Sequence, residues 1–120
     1  RICAAENKLP ATKKKVNDAV DFIDSNYSRI DMSLNLVADT IGVNASYLSN
    51  IFKKEKGCSL SKYLTQTRLE QAKKYLTEYP DKTLIEIAES IGYSDVYYFS
   101  KNFKKYYGIS PSKYQEERKM

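Results

Sequence analysis

The chain has 120 residues, of which 42 % are hydrophobic, so it can bury the core of one small domain or of two very small ones. Its formal net charge of +5 weakly favours an anionic partner, such as nucleic acid, a membrane surface or an acidic protein. The absence of histidine removes the usual catalytic base and metal ligand, and no apolar run reaches the length of a membrane span. No signal-peptide pattern is present either, and we expect a cytoplasmic protein.

The first predicted helix is amphipathic and covers residues 12–27. Its apolar residues recur at helical spacing and are Val16, Ala19, Val20, Ile23 and Tyr27. Its polar face carries several aspartates, which argues against a basic helix that lies on a membrane. The preceding residues 1–11 show no such period and are predicted to be a linker or tail. Because the chain begins with Arg rather than Met, we expect a longer protein that ends near Met120.

A helix, a tight turn and a second helix are predicted next. Ser33 caps the first helix (33–41), and Gly42 ends it, because glycine readily adopts a positive φ. Asn44 then caps the second helix, which covers residues 45–56. The side chains of this second helix that are predicted to face inward are Leu48, Ile51 and Phe52. Those predicted to face outward are Ser46, Ser49, Asn50 and Lys53.

A longer helix is predicted over residues 60–77. Its apolar positions are Leu64, Leu69, Ala72 and Leu76. The tripeptide Tyr79-Pro80-Asp81 ends it, because the residue before a proline avoids the helical conformation.

The helix-turn-helix pattern then recurs, with one additional residue in its turn (GYSD in place of GVN). Thr83 and Glu86 form a capping box at the start of a helix over residues 83–91, and Asp95 caps a helix over residues 96–107. The side chains of the latter helix that are predicted to face inward are Phe99, Phe103 and Tyr106. Those predicted to face outward are Tyr97, Ser100, Lys101 and Lys104.

The last predicted helix covers residues 111–118, with Ser110 as its cap and Pro111 at its first position. No strand is predicted, so we expect an all-α chain of about seven helices that contains two helix-turn-helix units. Cys58 in the first unit corresponds to Ile109 in the second, which favours a small buried apolar position over thiol chemistry. The two cysteines of the chain form no metal or redox motif.

Three stretches resemble the DNA-binding domain of the AraC/XylS family of bacterial transcription activators, over about residues 12–117. They are LNLVADTIGVNASYLSNIFKKEKG, TRLEQAKKYL and IAESIGYSDVYYFSKNFKKYYGISPSKY. The first half also resembles the subgroup of two-component response regulators. The resemblance implies two homeodomain-like helix-turn-helix subdomains, at residues 12–59 and 79–120, held by a connecting helix at residues 60–78. It also implies one reading helix per subdomain, with the two helices in successive major grooves.

The family's base-facing positions fall on the outward residues of the two second helices, which are Ser46, Ser49, Asn50, Tyr97, Ser100 and Lys101. Lysines further along these helices are predicted to contact phosphates, namely Lys53, Lys54, Lys104 and Lys105. The helix amides at Ser33 and Thr83 are predicted to do the same. The alternative is an ordinary solvated helix face, with lysines that only complement the helix dipole. Unlike many members of the family, this chain has no Arg in either reading helix, so modest sequence discrimination is expected.

The expected function is sequence-specific binding of double-stranded DNA by the C-terminal domain of a bacterial AraC-type transcription regulator, without a cofactor or metal. The expected partners are RNA polymerase and an N-terminal regulatory region that dimerises. No enzyme is predicted, because no nucleophile is paired with a base. The alternative is a protein-interaction module that docks on RNA polymerase or a partner domain and binds DNA only weakly and non-specifically. An exposed apolar patch would favour docking, whereas lysines on one face would favour DNA.

Overall fold

The computed structural model describes residues 10–118, so the predicted tail lies almost entirely outside the described residues. Within the described range the chain forms seven helices and no strand, which confirms the all-α prediction. Each predicted helix agrees with an observed one to within one residue at either end. The helices are α1 (Ala11–Asn26), α2 (Leu34–Ile41), α3 (Ala45–Lys56), α4 (Leu60–Glu78), α5 (Leu84–Ser90), α6 (Val96–Tyr107) and α7 (Pro111–Arg118). Among these helices there is no candidate for a membrane span.

The contacts divide the described chain into two compact units. Unit 1 contains the residues up to Asn26 together with Asp31–Tyr63, and unit 2 contains Tyr27–Ile30 together with the residues from Leu64 onward. Helix α4 therefore contributes its first turn to unit 1 and the rest to unit 2, whereas the sequence analysis treats it as a separate connecting helix. The subdomain boundaries proposed from the resemblance stay a prediction.

Unit 1 buries the apolar faces of α1, α2 and α3 against one another. The fully or almost fully buried side chains of this core are Val16, Ala19, Ile23, Val37, Ala38, Leu48 and Phe52. Small residues such as Ala19 and Ala38 let neighbouring helices approach closely. The ring of Phe52 meets that of Tyr63 edge-on, with 5.7 Å between the ring centroids. The helical spacing of these residues in the sequence is what places them on one side of each helix.

Unit 2 has a more aromatic core. It consists of Leu69, Ala72, Leu76, Ile87, Ala88, Ile91, Tyr93, Phe99 and Phe103. Phe103 contacts the rings of Phe99, Tyr107 and Tyr114, at centroid separations of 5.9, 4.7 and 6.0 Å. Offset and edge-on aromatic pairs of this kind stabilise a core beyond the area that they bury.

The predicted position of Tyr106 is wrong, because its side chain is 41 % exposed. Tyr107 is half-buried instead and packs against Phe103, four residues earlier on α6. Both residues fit a helical period that starts at Phe103, so spacing alone does not choose between them. Cys58 and Ile109 are both half-buried, so the position that they share is only partly shielded from solvent.

Candidate nucleic-acid interface

Helix α3 begins after an N-cap residue and ends at a glycine. The Oδ1 atom of Asn44 accepts a hydrogen bond from the Tyr47 backbone N–H at 3.1 Å, as an N-cap does. Gly57 ends the helix with a φ of 78°, in the left-handed region that favours glycine. Leu48 and Phe52 are completely buried, so the orientation of α3 about its own axis is set by packing on the core.

That orientation leaves a polar face of α3 in contact with solvent. Ser46, Asn50 and Lys53 are exposed, and Ser49 is half-exposed, so all four predicted outward residues are accessible. Their side chains offer a hydroxyl donor and acceptor, an amide that can both donate and accept, and a cation. These are groups that can recognise base edges and phosphate oxygens in a major groove.

Helix α6 is the counterpart of α3 in unit 2. The Oδ1 atom of Asp95 accepts a hydrogen bond from the Tyr97 backbone N–H at 2.8 Å, and Gly108 ends the helix with a φ of 78°. Phe99 and Phe103 are completely buried. The sequence repeat is therefore also a structural repeat, with the same kinds of cap at corresponding positions.

The outward face of α6 is larger and more basic than that of α3. Tyr97 is 83 % exposed, which excludes it from the core of unit 2. Lys101 and Lys104 are exposed, and Ser100 is half-exposed. All predicted base-facing residues of α6 are therefore accessible to solvent, as are those of α3.

The paired lysines at the ends of α3 and α6 suit two roles, complementing the helix dipole and contacting a phosphate. Lys53, Lys54, Lys104 and Lys105 are all exposed and lie in the last turns of their helices. Cations there complement the negative end of the helix dipole, and they are also free of the core and able to reach a phosphate. Only Lys53 and Lys104 follow the base-facing residues at helical spacing.

The two predicted helix-amide sites differ in their electrostatics. At α2, the Ser33 Oγ accepts from the Leu36 N–H at 3.0 Å, and no acidic residue lies in the first turn. At α5, the Thr83 backbone N–H donates to the Glu86 carboxylate at 2.9 Å, and this hydrogen bond is the main cause that lowers the pKa of Glu86. A carboxylate thus occupies the position that a phosphate would take, so Thr83 is a poorer candidate than Ser33.

The sequence analysis missed the residues that pack against the buried side of α6. Tyr93 is buried, and its ring lies 5.9 Å from that of Tyr98 and 5.7 Å from that of Phe99, between centroids. Its hydroxyl accepts a hydrogen bond from the Asn102 side-chain amide at 3.4 Å. Arg68 of α4 is also buried. The available signal was the longer second turn, which carries a large aromatic residue where the first turn carries Val43.

Residues suited to hold a metal ion do not cluster in the described part of the chain. What the described residues assemble is two capped helix pairs, each with a buried apolar side and an exposed polar second helix. This is the architecture of a helix-turn-helix DNA-binding domain.

Comparison with known proteins identifies the family. Residues 37–117 match a family model described as "Helix-turn-helix domain". The chain belongs to this AraC-type family of DNA-binding transcription regulators. The resemblance described from the sequence is therefore confirmed.

Individual relatives agree with this assignment. The Msm operon regulatory protein of Streptococcus mutans is 38 % identical over 112 residues, which are 93 % of this chain and 40 % of the relative. The lactose operon transcription activator of Staphylococcus xylosus is 40 % identical over 109 residues, which are 90 % of this chain and 38 % of the relative. The chain thus spans about two fifths of the length of these relatives.

The fold is also shared with a solved response-regulator domain. The C-terminal domain of AraT from Geobacillus stearothermophilus superposes with a TM-score of 0.83 at 37 % identity, covering 86 % of this chain and 84 % of that one. Response regulators therefore occur among the relatives of this chain, as the sequence analysis suggested.

Proposed function

We propose that this chain is the sequence-specific DNA-binding part of a bacterial transcription activator, and that α3 and α6 each read a short block of bases in the major groove. The observation that carries the proposal is the duplicated polar face on two capped helices whose opposite sides are buried. At corresponding positions both faces carry a serine and, about one turn further on, a lysine: Ser49 and Lys53 in α3, and Ser100 and Lys104 in α6.

Each outward side chain has a role that its chemistry suits. The Asn50 amide can bind adenine N6 and N7 together, and the Lys101 ammonium can bind guanine O6 and N7. The hydroxyls of Ser46, Ser49 and Ser100 are short, tolerant readers. Tyr97 packs on a thymine methyl or a sugar. Phosphate contacts fall to Lys53, Lys54, Lys104, Lys105 and the helix start at Ser33, with Thr83 the weakest candidate of this group.

The absence of Arg from both reading helices limits the expected specificity. A lysine is a flexible point charge, whereas an arginine presents a planar fork that matches guanine at two positions. Each good bidentate contact contributes about 1–3 kcal/mol of discrimination. We therefore expect modest preference within each block and an operator that depends on both blocks.

The rest of the proposal concerns the whole regulator. We propose that a regulatory region outside this chain dimerises and receives the signal, either as a receiver domain or through a small-ligand pocket, and that the regulator acts in the cytoplasm. We also propose that the regulator contacts RNA polymerase as an activator. The Staphylococcus xylosus relative is named a transcription activator. Two observations support a regulatory region outside this chain: the chain spans about two fifths of the relatives' length, and AraT is a response regulator.

Selection from a random duplex pool tests the core of the proposal. The expected result is two short conserved blocks about one helical turn apart, with an affinity that falls steeply as salt rises. The selected duplex is then titrated at two salt concentrations, beside a scrambled duplex of the same composition. Equal, sequence-blind affinity for both duplexes would instead support the alternative, a protein-docking module with weak non-specific affinity for DNA.

Replacing Lys101 by alanine is expected to relax the base preference at one position of the block read by α6. The reason is that Lys101 is exposed on the face opposite Phe99 and Phe103. The loss of discrimination at that position should be about 1–3 kcal/mol. Repeating the selection with Lys101→Ala measures it, and Lys113→Ala on α7 removes an equal exposed charge as a control. An unchanged motif would remove Lys101 from the set of readers.

Replacing Lys104 by alanine is expected to weaken the binding of every duplex alike. A phosphate contact carries no sequence information, so its loss lowers the slope of log affinity against log salt by about one. Titration of the selected and scrambled duplexes over a range of salt concentrations measures the slope. Lys74→Ala, an exposed lysine of α4, serves as the charge-matched control. A loss confined to one duplex would contradict the phosphate role.

A further inference from the structure

Arg68 is the only charged side chain that is buried among residues 10–118, with 9 % of its surface exposed. Burying a charge is costly unless its donors find partners. Its Nε donates to the backbone carbonyl oxygen of Tyr27 and its Nη2 to that of Arg29, each at 2.7 Å. Because it is buried, Arg68 cannot be a DNA contact, and the reading proposed above gives it no role.

The guanidinium of Arg68 lies against the turn that precedes α6, at Gly92. A Cβ atom added at Gly92 would lie 2.8 Å from the Arg68 Nη2 atom. The guanidinium therefore occupies the space that a side chain at this position would need. The Cζ atom lies 5.5 Å from the centroid of the Tyr93 ring, within the range of a cation–π interaction. Arg68 thus joins the carbonyls of Tyr27 and Arg29 to the aromatic side chain of this turn.

Tyr93 passes this contact on to the reading helix. It touches Tyr98 and Phe99 and accepts a hydrogen bond from Asn102. Tyr98 and Asn102 are four residues apart, so they lie on the same side of α6. Each directly follows a proposed base-reading residue, Tyr97 or Lys101. A shift of the Tyr93 ring would therefore turn the reading face of α6.

Unit 1 supports the corresponding turn by different contacts. Its α1 core residues Val16, Ala19 and Ile23 have the same spacing as Leu69, Ala72 and Leu76 of α4, which places Lys15 where unit 2 has Arg68. The Nζ atom of Lys15 donates to the Ile41 carbonyl oxygen at 3.3 Å.

The turns themselves have the same backbone bond but different side chains. The N–H groups of Val43 and Tyr93 each donate, at 2.9 Å, to the carbonyl oxygens of Ala38 and Ala88 respectively. Val43 offers no ring for Lys15 to approach, and the space around Gly42 is open. The arrangement of Arg68 with Tyr93 is therefore a feature of unit 2.

We propose that Arg68 is a positioning residue that sets the orientation of α6 through Tyr93, so that base discrimination by unit 2 depends on a side chain that does not touch DNA. The proposal rests on the assignment of α6 as a reading helix. It predicts an effect confined to the block of bases that α6 reads, whereas a general loss of folding would affect every duplex.

The test compares Arg68→Met, Arg68→Lys and, in unit 1, Lys15→Met. Arg68→Met removes the charge and both hydrogen bonds, Arg68→Lys keeps the charge without the planar fork, and Lys15→Met makes the corresponding change under the first turn. Each variant is titrated with the selected duplex and with two duplexes in which one block or the other is scrambled. The changes that Lys101→Ala and Asn50→Ala cause in the selected motif assign each block to its helix.

In Arg68→Met, discrimination against the duplex scrambled in the α6 block is expected to fall roughly tenfold, which is within the value of one bidentate contact. Discrimination in the α3 block and the salt slope should stay as in the wild type. Lys15→Met should leave the α6 block unchanged. An unaltered α6 block, or an equal loss in both blocks, would overturn the proposal. If Arg68→Met does not fold, Arg68→Lys decides: a smaller loss in the same block supports the proposal, and wild-type behaviour overturns it.

Amide hydrogen exchange without DNA separates this proposal from the proposed function. In whichever of the two Arg68 variants folds, the amides of Phe99–Phe103 should exchange faster while those of α7 keep their wild-type rates. Equal acceleration throughout unit 2, or none in α6, would overturn the positioning role. If the wild type discriminated no sequence, the proposed function would fail, and the exchange measurement would still decide whether Arg68 orients α6.

Discussion

Replacing Phe103 by alanine is expected to lower the free energy of unfolding of unit 2 by about 3–5 kcal/mol. The ring is completely buried and contacts three other aromatic rings, those of Phe99, Tyr107 and Tyr114. Alanine removes the transfer free energy of the ring and leaves a cavity that stiff neighbouring rings fill poorly. The loss is a large fraction of the stability of a small domain.

Urea denaturation followed by helical circular dichroism measures this loss, and segment-resolved hydrogen exchange assigns it to unit 2. Tyr106→Ala is the matched control, because Tyr106 is an aromatic residue of the same helix that is 41 % exposed. We expect a much smaller effect from it. If the two variants unfolded at the same urea concentration, the central place of Phe103 in this core would be wrong.

Replacing Gly92 by alanine is expected to destabilise unit 2 by about 2–5 kcal/mol, for two separate reasons. The φ of Gly92 is +100°, a conformation that residues with a Cβ atom adopt at a cost. The new methyl group would also meet the Arg68 guanidinium at 2.8 Å. Displacing that group weakens its hydrogen bonds to the carbonyls of Tyr27 and Arg29.

Gly108→Ala separates the two reasons within the same unit. Gly108 has a φ of +78°, and a methyl group there would meet no atom within 4 Å. Its replacement should therefore cost only the conformational part, about 1–2 kcal/mol. The difference between the two variants in thermal or urea unfolding then reports the contact with Arg68. Equal losses would show that the guanidinium moves aside without cost.

The local structure of this chain was largely predictable from its residues. Caps such as Ser33, Asn44, Thr83 and Asp95 act on backbone N–H groups two or three residues away, so their effect does not depend on the rest of the fold. The apolar spacing within each helix likewise indicates the side that turns to a core. For this reason the seven helices, their ends and most buried positions were predicted.

The candidate site was predictable to the same extent, because outward residues are those left when the buried ones are removed. The roles of Ser46, Ser49, Asn50, Tyr97, Ser100 and Lys101 remain predictions, although their accessibility agrees with them. The difference between Ser33 and Thr83 as phosphate sites could have been read from Glu86. The capping box predicted from Thr83 and Glu86 already places a carboxylate at these amides.

Contacts between distant parts of the chain account for what the residue pattern could not indicate. The choice between Tyr106 and Tyr107 depends on where the Phe103 ring lies, and both positions satisfy the helical period. The burial of Arg68 depends on carbonyl groups about forty residues away and on a turn more than twenty residues away. Helical spacing indicates which side of a helix is buried. The residues that each side chain contacts depend on how the helices pack together. That is why the two similar repeats could be recognised from the sequence, while the different contacts that support their reading helices could not.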